Sequence, residues 1–119
     1  MQRKKLYIDV CTLCRPFDDQ NIMRIRLETD AFYMILQSIR EGNYNMVVSP
    51  VHLKEIGGIE DIRERLELII LLNNFGVNPS CNLRKVRERA EYFVSLKSGI
   101  ADAAHLAFAE ATSDNFYNL

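Results

Sequence analysis

The chain has 119 residues, 48% of them apolar, which is enough for one hydrophobic core and a single domain spanning 1–119. Its 15 basic and 16 acidic residues leave a formal charge of −1, a balance that weighs against non-specific duplex binding but leaves room for a small phosphate site. No apolar run of membrane-spanning length occurs, and the basic start Met1-Gln2-Arg3-Lys4-Lys5 leads into a run too short for a signal peptide, so a soluble, cytoplasmic protein without a membrane partner is expected.

Residues 5–9 read as a short buried strand. The following Arg15-Pro16-Phe17-Asp18-Asp19 reads as a loop, with Asp18 or Asp19 as the cap of the next helix. From about 21 to 41, Ile22, Ile25, Phe32, Ile35, Leu36 and Ile39 recur at helical spacing, and Gly42 ends the pattern. A second strand, Asn45–Ser49, precedes a short helix with Pro50 at its first position and Gly57-Gly58 at its end. The spacing predicts a helix over 59–74 with Ile62, Leu66, Ile69 and Ile70 on its stripe, then an extended link at Val77-Asn78-Pro79. Asn82 caps another helix carrying Leu83, Val86, Ala90, Phe93 and Val94, up to Ser98-Gly99. The helix 100–111 places Ile100, Ala103, Ala104, Ala107 and Ala111 on one face, and Asn115–Tyr117 begins a third strand. Strands alternating with helices imply a parallel sheet with right-handed crossovers, hence an α/β fold.

Three cysteines without an export signal predict free thiols in a reducing compartment. Cys11 and Cys14 form a C-x-x-C, but no second close pair completes a zinc site, so both read as small buried residues at a strand-to-loop junction. Arg3, Lys4 and Lys5 form one basic cluster; Arg84, Lys85, Arg87 and Arg89 form another, read as the solvated face of a helix. His105 reads as a hydrogen-bonded, half-buried histidine, or one that orients Asp102 or a phosphate.

Three acids sit where a carboxylate is awkward for folding: Asp9 after an apolar strand, Glu55 inside a short apolar helix, and Asp102 opening an alanine-rich one. In a parallel sheet ligands collect beyond the carboxyl ends of the strands, and the topology directs all three acids to that edge. Clustered carboxylates raise one another's pKa unless a hard cation neutralises them, so Mg²⁺ or Mn²⁺ is the expected occupant and phosphodiester hydrolysis the expected chemistry. No phosphate-binding glycine loop and no G-x-S-x-G elbow is present.

The segments Leu6-Tyr7-Ile8-Asp9-Val10-Cys11, Ser49-Pro50-Val51-His52-Leu53-Lys54-Glu55-Ile56 and Gly99-Ile100-Ala101-Asp102-Ala103-Ala104-His105-Leu106-Ala107 together give the chain a family likeness over nearly its whole length. It resembles the PIN-domain family, metal-dependent ribonucleases that include many toxins of toxin–antitoxin pairs. The resemblance implies a PIN-like three-layer α/β fold with a short parallel sheet flanked by helices. It makes Asp9 and Asp102 metal ligands, Glu55 a ligand directly or through water, and Cys11 a neighbour of the site, with RNA as substrate. Val10 stands where the family more often has threonine. The family's further metal-ligand acid, and the strand and helix after it, have no counterpart in Ser113–Leu119, where Asp114 reads as a turn residue and Asn118 as a weak donor. That implies a shortened last part of the fold, or a piece of a longer protein, a weakened metal site, and an open sheet edge that invites a homodimer or a cognate antitoxin. The alternative reading is a catalytically inactive PIN-like interaction module for dimerisation or for partner or RNA binding.

Overall fold

A computed structural model of the chain describes residues 3–78, 80–113 and 115–117. In β1 (Lys4–Ile8) exposure falls along the strand, until Leu6, Tyr7 and Ile8 are fully buried, as a strand covered on both faces requires. It pairs in parallel with β2 (Tyr44–Val47) on one side and with β4 (Asn115–Tyr117) on the other. The two-residue strand β3 (Gly76–Val77) adds to β2, again in parallel, which gives the order β3-β2-β1-β4. Between the strands run α1 (Val10–Cys14), a 3-10 turn (Arg15–Phe17), α2 (Met23–Arg40), α3 (Pro50–Gly57), α4 (Ile62–Phe75), α5 (Leu83–Ser95) and α6 (Ile100–Thr112). The expected mixed α/β architecture with a parallel sheet is present.

Side chains alternate across a strand, and the two faces of β1 fill different cores. Leu6 and Ile8 join Met46 and the buried faces of α1 to α4, among them Leu13, Phe32, Leu36, Ile56, Leu68 and Leu72. Tyr7 and Val47 look the other way, against Ala109 and Phe108 of α6. Helices thus cover both faces of the sheet. No described helix is long and apolar enough to cross a membrane.

Several local expectations are corrected. The stretch after β1 is helical because Asp9 caps α1, whereas neither Asp18 nor Asp19 caps α2: Asp18 pairs with Arg15, Asp19 bonds the Asn21 amide, and Ile22 opens the helix without a side-chain cap. Cys11 and Cys14 therefore lie on a helix, Cys11 exposed and Cys14 partly buried; these two and Cys81 are free thiols. The link after α4 begins as β3, and Pro79 lies outside the described residues. In α4 the buried residues are Leu68 and Leu72, while Ile62, Leu66 and Ile70 face out. Ile22, Leu83, Val94 and Ile100 are likewise exposed rather than packed. The expected cap at Asn82 is formed, its Oδ1 accepting from the Arg84 and Lys85 amides. The basic face of α5 is solvated and laced with ion pairs, Arg84–Glu88, Arg87–Glu91 and Arg89–Glu110. The expectations for Asp114 and Asn118 lie outside the described residues.

The chain steps from β1 out to β2 and β3, then returns to place β4 on the far side of β1. Strand order therefore reverses between β1 and β4. Asp9 is the first residue after β1, at the carboxyl end beside that reversal.

Candidate carboxylate site

Asp9 is built into the strand-to-helix turn. Its extended backbone (φ −70°, ψ 163°) ends β1, and its Oδ1 accepts from the Thr12 amide at 3.1 Å and from the Thr12 hydroxyl at 2.5 Å. The carboxylate is 7% exposed, and these bonds make such burial tolerable. They occupy Oδ1, and among the described residues nothing bonds Oδ2. Asp102 lies in the first turn of α6, where the helix dipole favours an anion, and a side chain added at Gly99 would come within 3.8 Å of its Oδ2. Asp9 and Asp102 line one depression of about 340 Å³ together with Lys97, Ser98, Gly99, His105 and Leu106. Lys97 sits at φ 70°, a left-handed conformation unusual for a side-chain-bearing residue.

Glu55, on α3, lines the neighbouring groove of about 720 Å³ between α3 and α6, with Val51, Ile59, Ile100 and Ala104. His105 links the two through Glu55. Its side chain is buried, lines the depression of Asp9 and Asp102, and through Nε2 contacts Glu55 Oε1 at 2.7 Å. His105 thus orients toward Glu55; no hydrogen bond joins it to Asp102 among the described residues. The three acids also act on one thiol. Burial pushes the Cys11 thiol up, Asp9 adds to this, and Glu55 and Asp102 push the same way while Arg15 opposes them.

Beneath the acids runs a buried polar chain with no counterpart in the sequence reading. The Tyr7 hydroxyl lies 2.6 Å from His105 Nδ1 and 2.9 Å from Ser49 Oγ. Ser49 caps α3: its hydroxyl accepts from the His52 amide, and its own amide donates to His52 Nδ1 at 2.9 Å, which closes a capping box. His52 Nε2 donates to the Ile8 carbonyl at 2.6 Å. Tyr7, Ser49 and His52 are at most 3% exposed, and burial holds Tyr7 well above the usual phenol range and His52 down at about 4. The S-x-x-H spacing at Ser49 and a tyrosine between Leu6 and Ile8 in the buried half of β1 are the available signals.

Among the described residues no group of three or more His, Cys, Asp and Glu side chains is arranged to hold a metal ion. The donor chemistry nevertheless suits a hard cation: Mg²⁺ is commonly held by one or two carboxylates and several waters, and Asp9 and Asp102 share a depression, with Asp9 Oδ2 bonded to none of the described residues. Comparison of the chain with protein-family models, with curated proteins and with solved structures gave no match in any of the three.

Proposed function

We propose that the protein is a PIN-type endoribonuclease, dependent on Mg²⁺ or Mn²⁺, that hydrolyses RNA phosphodiester bonds at Asp9, Glu55 and Asp102. The observation that carries this reading is the shared depression of Asp9 and Asp102, tied to Glu55 through His105 at the carboxyl end of β1. The carboxylates of Asp9 and Asp102 in one depression, with Glu55 in the neighbouring groove, repel an RNA phosphate, so a cation bound there would be needed for the substrate to approach. Such a cation supplies Lewis acidity toward the scissile phosphate and lowers the pKa of a bound water. The chain's own contribution is placement. Asp9, fixed by its cap bonds, and Asp102, on the first turn of α6, would hold the cation directly, and Glu55 would hold it directly or through water. Lys97, on the rim of the same depression, offers a positive charge to the RNA backbone.

A second copy of the chain is the partner this reading favours. Exposed Met23, Leu27 and Met34 on α2, and Ile62, Leu66 and Ile70 on α4, form apolar stripes of the kind interfaces cover.

The test is cleavage of single-stranded and structured RNA by wild type and Asp9→Asn, each with Mn²⁺ or EDTA. Cleavage that needs Mn²⁺ and disappears in Asp9→Asn is the expected result. Wild type and variant with identical traces at high protein concentration would overturn the nuclease reading in favour of a non-catalytic interaction module.

A further inference from the structure

Both ends of the buried polar chain have a fixed direction. The Ile8 carbonyl can only accept, so His52 carries its hydrogen on Nε2, and the single lone pair of Nδ1 is taken by the Ser49 amide. The Ser49 hydroxyl accepts from the His52 amide and lies 3.0 Å from His52 Nδ1 and 2.9 Å from the Tyr7 oxygen, so it joins the two rings. Tyr7 lies 2.6 Å from His105 Nδ1 on one side of the ring, and on the other an ionised carboxylate can only accept, so His105 presents an Nε2–H to Glu55 Oε1 at 2.7 Å. Residues from β1, the β2–α3 junction, α3 and α6 thus combine to present one N–H to one carboxylate oxygen. Glu55 needs such a hold: its side chain is 32% exposed and flexible, while His105 is 6% exposed.

We propose that His105 is a positioning residue, held by Tyr7 and Ser49 in the Nε2–H form so that it fixes Glu55 against the depression of Asp9 and Asp102. The inference rests on the cation-dependent reading of that site. Side chains that orient a ligating carboxylate typically change metal affinity or activity 10- to 100-fold when removed, by roughly that range in measured cases.

The test uses the full chain and the variants His105→Leu, His105→Gln, Tyr7→Phe and Asp9→Asn, with Mn²⁺ binding followed by electron paramagnetic resonance of the free ion. Thermal unfolding checks that each variant is folded. Long-range ¹H–¹⁵N spectra of the metal-free protein report the histidine tautomers. In wild type both His52 and His105 should carry the hydrogen on Nε2. His105→Leu should bind Mn²⁺ about 10- to 100-fold more weakly, and His105→Gln, which returns an N–H donor, should recover part of that loss. Tyr7→Phe removes one oxygen and keeps the ring; its Mn²⁺ affinity should fall by about 2- to 10-fold, the equivalent of one hydrogen bond. If His105→Leu does not fold, Tyr7→Phe decides the matter. Wild-type Mn²⁺ affinity in a folded His105→Leu or Tyr7→Phe, beside a weakened Asp9→Asn, overturns the positioning role alone. A wild type that binds no Mn²⁺ overturns the nuclease reading and the positioning role with it.

Discussion

Replacing Asp9 by alanine and by asparagine separates what the residue does for folding from what it does for chemistry. Asp9 Oδ1 accepts two bonds from Thr12, one from the amide and one from the hydroxyl. Losing an N-cap costs about 1 kcal/mol. Losing a hydroxyl bond to a charged acceptor adds about 1–2 kcal/mol. Asp9→Ala should therefore destabilise by about 2–3 kcal/mol. For a chain of this length the unfolding entropy is about 0.25 kcal/mol/K, so Tm should drop by about 8–12 °C. Asn at position 9 retains an Oδ1 acceptor for Thr12 and removes one of the three negative charges that act on Cys11. Its change in metal-free stability should stay within about 1 kcal/mol, while Mn²⁺-dependent RNA cleavage is lost. Urea denaturation with EDTA, run beside the cleavage assay, measures both. An Asp9→Asn protein as destabilised as Asp9→Ala would refute the separation, as would an Asp9→Ala protein within about 0.5 kcal/mol of wild type.

Acid should weaken the fold through His52. Burial holds its pKa at about 4 against an ordinary 6.5, so between those values the unfolded chain binds the proton and the folded chain does not. Stability should rise with pH across that window and fall as pH drops through it, by about 3 kcal/mol in total; a His52→Gln protein with the same slope in urea titrations from pH 7 to 4.5 would contradict the assignment. Gly76 has no room for a side chain, because a Cβ there would overlap the Val48 side chain and the Leu72 carbonyl oxygen. Gly76→Ala should cost about 1–3 kcal/mol in chemical denaturation, since the carbonyl of α4 cannot move aside without disturbing β3. Cys14 is pushed up to about 12 by burial and then by Glu64, so in the folded protein at pH 8 it should stay unmodified by a thiol reagent that labels it fully in urea, as mass spectrometry of the labelled protein would read out.

What was legible in the sequence was what local chemistry fixes. Pro50 marks the start of α3, Asn82 marks that of α5, and the apolar run at Leu6-Tyr7-Ile8 marks a buried strand. Asp9 stood out as a misplaced acid, yet its cap to Thr12 went unread because Val10 to Cys14 is too short and too apolar to show helical periodicity. The two residues of β3 carry no pattern at all and are set by pairing with β2. In α4 the unbroken run Leu68-Ile69-Ile70-Leu71-Leu72 offers an apolar residue in every direction, so which face packs is decided by the sheet and not by spacing. The network under the site was out of reach for a different reason. Tyr7 meets Ser49 across 42 positions and His105 across 98, and nothing local to any of them records the others. Glu55 and His105, 50 positions apart, became a pair only once α3 and α6 were set side by side.

The central claim is that Asp9 and Asp102 hold one divalent cation between them. Crystals grown with Mn²⁺ and measured at an energy where manganese scatters anomalously test it most directly. The account predicts an anomalous peak in the depression lined by Asp9 and Asp102, about 2.0–2.2 Å from a carboxylate oxygen of each, and its disappearance in Asp9→Asn. A wild-type map with no peak there at saturating Mn²⁺ would contradict it.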